Sequence, residues 1–162
     1  MEQEIGVYVT ALQTALQEKR KILRELLQLT QEQEQILGNK EMDADDFERL
    51  LQEKEKWLNK IQELDKGFQN LFDKIGSSLK ENKQQYKQQI LSMQEDIRAI
   101  TDCGVQIEAL EKKNRDSFAL FASGKRKEIR NFRMNTKSAA TYHRNMADQH
   151  QEWQTYFMDK KK

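Results

Sequence analysis

The chain has 162 residues, 34% of them charged and 36% hydrophobic, with no proline and six glycines. That is the length of one ordinary domain, apolar enough for narrow buried stripes but thin for a broad globular core, and so few breakers argue for a handful of long helices. The net charge of +1 is uneven: residues 1–124 carry 18 Lys+Arg against 23 Asp+Glu (−5), and residues 125–162 carry 10 against 4 (+6), which marks the C-terminal stretch as a separate basic object.

Cys103 is the single cysteine, so no intramolecular disulfide can form and a reducing compartment is favoured. No apolar run approaches the ~20 residues a membrane-spanning helix needs. The first residues, Met1-Glu2-Gln3-Glu4, are acidic and do not have the pattern of a signal peptide. A soluble cytoplasmic protein is expected.

The first predicted helix covers residues 3–37. Its 3-4 line is Ile5, Tyr8, Leu12, Ala15, Lys19, Ile22, Leu26, Leu29, Gln33 and Ile36, and a flanking line adds Val9, Leu16, Leu23, Thr30 and Leu37. Gly38-Asn39 supplies the stop, since both tolerate the left-handed conformation that ends helices. The link over residues 38–43 is short, and a short link between long helices makes them antiparallel. Asp43, Asp45 and Asp46 open the next helix. Three close carboxylates suggest a metal loop, but the glycine and closing glutamate of a calcium loop are missing. N-capping and charge at the positive helix end account for them.

Residues 47–75 carry the strongest pattern. Phe47, Leu50, Lys54, Trp57, Ile61, Leu64, Phe68, Leu71 and Ile75 alternate at 3 and 4, and Leu51, Leu58, Asp65 and Phe72 recur every seventh residue beside them. About four heptads of such alternation signal a long helix in a left-handed bundle. The second line widens the stripe and asks for two or more partner helices.

This helix is predicted to end near Gly76-Ser77-Ser78, with Ser78 and Glu81 as a capping box for a third helix. The third line is Tyr86, Ile90, Met93, Ile97, Ile100, Gly104, Ile107, Leu110, Phe118 and Phe121; it slips at Leu110, and Asn114 interrupts it. The third helix is expected to outlast the other two. Cys103 reads as a small residue packed at a helix crossing rather than a reactive thiol, and Trp57 and the phenylalanines of the second helix as core. The polar exceptions Lys19, Gln33, Lys54, Asp65 and Asn114 are expected to set helix register.

From Lys125 the pattern changes. Residues 125–134 are basic with interleaved apolar side chains; Tyr142, Met146, Trp153, Tyr156, Phe157 and Met158 follow without a sustained 3-4 line, before Lys160-Lys161-Lys162. This is the composition of a segment that orders on a partner. Nucleic-acid binding is disfavoured by the acidic body, and membrane binding by the weak amphipathic pattern. His143 and His150 lie seven apart, whereas i and i+4 is the chelating spacing. No catalytic constellation, cofactor motif or metal-ligand set stands out, so an enzyme is not expected.

Two stretches resemble the FlgN family of flagellar type III export chaperones, in its clostridial form. One is the hairpin of residues 18–34 and 47–55, with Leu26-Leu27-Gln28-Leu29 and Phe47-Glu48-Arg49-Leu50-Leu51-Gln52-Glu53-Lys54-Glu55. The other is the tail, with Tyr142-His143-Arg144-Asn145-Met146 and Tyr156-Phe157-Met158-Asp159-Lys160-Lys161. The resemblance implies a cytoplasmic chaperone that binds hook–filament junction subunits, keeps them from assembling early and delivers them to the export apparatus. The related FliT-like chaperones share the architecture and serve the filament cap, so the client stays open between the two. In the family the C-terminal region is tied to client binding. Carried onto this chain, that points to Phe132, Met134, Tyr142, Met146, Tyr156, Phe157 and Met158.

The expected protein is therefore all-α: an elongated antiparallel bundle of three long helices over residues 1–124, with a helical or partly disordered client-binding tail over 125–162. A structural coiled-coil protein or homodimer without an export client is the alternative.

Overall fold

The computed structural model describes residues 2–38, 43–121 and 123. Three long helices make it up: α1 (Glu2–Leu37), α2 (Ala44–Glu81) and α3 (Lys87–Phe121). At about 1.5 Å rise per residue each is roughly 50–57 Å long. With 35 residues, α3 does not outlast the other two within the described chain.

α1 is the shared partner, lying against α2 on one side and α3 on the other. Its sequence explains why. Both predicted lines are occupied by buried residues, Leu12, Lys19, Leu26 and Gln33 on one and Val9, Leu16, Leu23 and Thr30 on the other. A helix with two adjacent apolar lines can bury both only between two neighbours. α2 and α3 reach each other through long side chains, such as the stacked rings of Phe47 and Phe118.

The α1–α2 link ends in a well-made cap. Asp43 is extended and its carboxylate accepts from the Asp45 amide at 3.0 Å, with Asp45 and Asp46 in the first turn of α2. Asp46 also pairs with Arg49. The three carboxylates thus serve the helix start. At the other end of the link, the Gly38 amide donates to Glu34 O at 3.0 Å in ordinary helical fashion. No glycine among the described residues has positive φ, so Gly38 does not take the left-handed conformation expected there; Asn39 lies outside the described residues.

The α2–α3 boundary differs from expectation. α2 runs through Gly76-Ser77-Ser78 to Glu81, and the Ser78–Glu81 capping box is not formed at the start of α3. The reason is Leu79, which continues the line of Phe68 and Ile75 and is 1% exposed. Burying a leucine is worth about 1.5–3 kcal/mol, more than the ~1 kcal/mol that a helical glycine costs. The stop comes at Asn82, whose amide bonds to Leu79 O and Ser78 O and whose side chain donates to Ser78 O at 2.7 Å. Residues 82–86 turn the chain, and Tyr86 packs into the core as α3 begins.

The third stripe does not slip at Leu110, which is half-buried. Its line passes from Ile107 to Glu111, Asn114 and Phe118, all buried. The 3-4 alternation is unbroken; a carboxylate occupies one position on it.

Candidate functional site

No group of three or more His, Cys, Asp or Glu side chains among the described residues could hold a metal ion, and no helix among them is long and apolar enough to cross a membrane. The informative features are the incompletely buried face of α2 and the charges inside the bundle.

On α2, Phe47, Ile61, Phe68 and Ile75 are fully covered, whereas Trp57, Leu64 and Leu71 on one flank and Leu51, Leu58 and Phe72 on the other are only half-buried. The first flank borders an open groove of about 480 Å³ between α1 and α2, floored by Ala15, Leu64, Gly67, Phe68 and Leu71 and edged by Lys60 and Glu63. The small residues keep it open: Gly67 is exposed, and a Cβ there would meet nothing within 4 Å. Lys60 Nζ lies 5.7 Å from the Trp57 ring, and Lys74 Nζ 4.9 Å from the Tyr8 ring near one end of the helices. The arrangement suits an apolar ridge framed by mixed charge.

Within the bundle, the polar exceptions of the sequence are hydrogen-bonded across the helix interfaces. Lys19 Nζ donates to Asp65 Oδ1 at 2.6 Å, joining α1 to α2. Burial pushes the Lys19 ammonium below its ordinary 10.5, against the opposing pull of the Asp65 carboxylate. Beside it, Arg20 bonds Asp96 at 3.0 Å and joins α1 to α3. Further along, Lys54 Nζ donates both to Gln33 Oε1 at 2.9 Å and to Glu111 Oε1 at 2.8 Å, so one ammonium joins all three helices. Asn114 Nδ2 donates to Thr30 O at 3.1 Å. Such pairs define register, since a slip would leave a charge buried alone. Glu111 and Asp96 are the partners that apolar periodicity cannot find; Lys54, a cation on the α2 stripe, was the available signal for Glu111.

Cys103 is half-buried and packs against the core. Desolvation raises its thiol above the ordinary 9.0; Arg24 and Arg20 oppose the rise and Asp102 adds to it. A thiol held protonated is a poor nucleophile, which fits packing rather than reactivity.

The sequence-predicted client-binding residues Phe132, Met134, Tyr142, Met146, Tyr156, Phe157 and Met158 lie outside the described residues, as do His143 and His150.

Residues 1–146 match the family model described as FlgN protein. No curated protein and no solved structure matches the chain. The matched span includes all three helices and extends into the basic segment as far as Met146; Tyr156, Phe157 and Met158 lie beyond it.

Proposed function

The chain belongs to the FlgN family of flagellar export chaperones, and we propose that it works in the cytoplasm, binding hook–filament junction subunits, preventing their premature assembly and delivering them to the export apparatus. The observation that carries this reading is the family match across the whole helical body. The half-buried face of α2 supports it, because a protein that covers assembly-prone helices needs apolar surface of its own.

The division of labour follows from composition. Residues 1–124 form a body with a net charge of −5, and residues 125–162 a basic, Met- and aromatic-rich client-binding element of +6. An exported subunit's terminal amphipathic helix has an apolar face that self-associates. Phe132, Met134, Tyr142, Met146, Tyr156, Phe157 and Met158 cover that face, with methionines adapting to its shape. Binding that is paired with ordering keeps affinity modest for the area buried, which suits a protein that must release its cargo. No cofactor, nucleic acid or membrane insertion enters this scheme, and the chain has no chemical step to perform. Homodimerisation would offer another way to cover the α2 flanks.

The test is a pull-down from the native cytoplasm with the full chain and a 1–124 truncation, retained proteins being identified by mass. Junction subunits on the full chain alone support both activity and site. Junction subunits on both move the site to the helices. A filament-cap subunit in their place changes the client. No flagellar subunit on either favours a structural coiled-coil protein.

A further inference from the structure

Among the described residues, the buried apolar side chains fall into two clusters. The main cluster contains Val9, Leu12, Leu16, Leu23 and Leu26 of α1, Ile61, Phe68 and Ile75 of α2, and Met93, Ile97, Ile100 and Ile107 of α3. A second, smaller cluster lies at the end where α1 gives way to α2 and α3 finishes. There Phe47 and Phe118 stack with centroids 5.1 Å apart, and Ile36, Leu37 and Leu51 pack around them.

Between the two clusters runs a polar belt of Thr30, Gln33, Lys54, Glu111 and Asn114, each 7% exposed or less. Every helix contributes to it. Lys54 is its hub, bonded to Gln33 of α1 and Glu111 of α3. The belt is imperfect: Asn114 Oδ1 is buried without a hydrogen-bond partner among the described residues. Cooperativity between two parts of a fold is carried by shared packing, and here, among the described residues, the two apolar clusters are distinct.

We propose that this connector end is a separate opening unit, with the Lys54–Gln33–Glu111 triad as its latch. Residues of three different helices, about 31–37, 47–54 and 108–118, come apart together while the main core stays closed. Opening presents Phe47, Phe118, Leu51 and Ile36 to solvent beside the end of α3, from which the basic segment continues. This property belongs to the chain alone and holds whether or not the export reading does.

Native-state hydrogen exchange of the full chain, read by mass spectrometry across a urea series, tests it. Peptides from the three end segments should share one opening, at least about tenfold more frequent than that of peptides 12–26, 61–75 and 90–104, and with a shallower urea dependence. Lys54→Met leaves Glu111 without its lysine and should accelerate exchange in all three end segments by at least about tenfold further, with the core peptides unchanged. One common opening for end and core would overturn the proposal, as would equal acceleration of both in Lys54→Met. So would rates that fall turn by turn toward each helix end, which is independent fraying. Should Lys54→Met not fold, the urea series on the unaltered chain decides alone, because equal slopes in end and core contradict a separate unit. The measurement contains no client, so its failure and a failure of client binding are read separately.

Discussion

Lys19 Nζ and Asp65 Oδ1 stand 2.6 Å apart in the middle of the bundle, with 2% and 11% of their side chains exposed. They lie on adjacent helices at positions where the heptad pattern asks for apolar residues. Two charges at that depth are costly to desolvate, and their attraction returns that cost only while both are present. Lys19→Met is therefore expected to destabilise the chain by about 3–5 kcal/mol, because it leaves Asp65 without its lysine. Lys19→Met with Asp65→Leu should recover most of that loss or exceed the parent in stability. Urea unfolding followed by circular dichroism separates the outcomes; additive losses in the double variant would show that the pair is not a unit.

Gly67 is an exposed glycine in the interior of α2 with open space where a Cβ would go. Gly67→Ala is expected to stabilise the helix by about 0.5–1 kcal/mol, raising Tm by roughly 1–4 °C for a chain of this size. A drop in Tm would mean that the groove floor is tighter than the structure has it.

Phe118 stacks on Phe47 and, with it, makes up the fully buried part of the end cluster. Phe118→Ala is expected to cost about 3 kcal/mol, at the low end for a buried phenylalanine, because a small cluster at the bundle's end collapses more easily than a central one. Ile97→Ala, at a 0% exposed position in the main core, should cost about 2–5 kcal/mol. The two losses should add to within about 0.5 kcal/mol in the double variant, as distant sites do. Equilibrium unfolding of the three variants gives the comparison.

Cys103 gives a pH signature. Its thiol is held above 9.0 chiefly by burial, so the unfolded chain loses the proton first as pH rises. Below 9.0 both states hold it and its contribution to stability is fully present; above 9.0 that contribution falls away through the folded-state value. Cys103→Ser should flatten this part of the alkaline stability profile. The rate of thiol alkylation should reach its midpoint at higher pH in the folded chain than in urea. Coincident midpoints would contradict the assignment.

Much of this fold was legible as pattern. The second apolar line on residues 47–75 asks for two or more partner helices, whereas the helix that lies between two close neighbours is α1, and α2 packs closely on α1 alone among the described residues. The five polar exceptions became bonded groups at the helix interfaces: Lys19 with Asp65, Lys54 with Gln33, and Asn114 with the Thr30 carbonyl. What escaped were positions where chemistry and periodicity disagree. At Glu111 an apolar neighbour, Leu110, competes for the core position, although the carboxylate continues the 3-4 spacing and answers Lys54. Gly76-Ser77-Ser78 has the local propensity of a stop, and the burial of Leu79 beyond it overrides that propensity. The groove over Ala15 and Gly67 was not foreseen, since an exposed glycine carries no periodic signal and becomes meaningful only when two helices are side by side. The segment after Lys125 has no helical period to read, so its proposed role rests on composition and family resemblance.

The central claim is that the chain holds an exported flagellar subunit through residues of its basic segment. The most direct measurement is a calorimetric titration of a purified hook–filament junction subunit into the full chain and into a variant with Tyr142, Met146, Tyr156 and Phe157 replaced by alanine. The account predicts saturable binding to the full chain and its loss in the variant, with the helical body melting at the same temperature in both. No heat of binding with the full chain, or undiminished affinity in the variant, would contradict it.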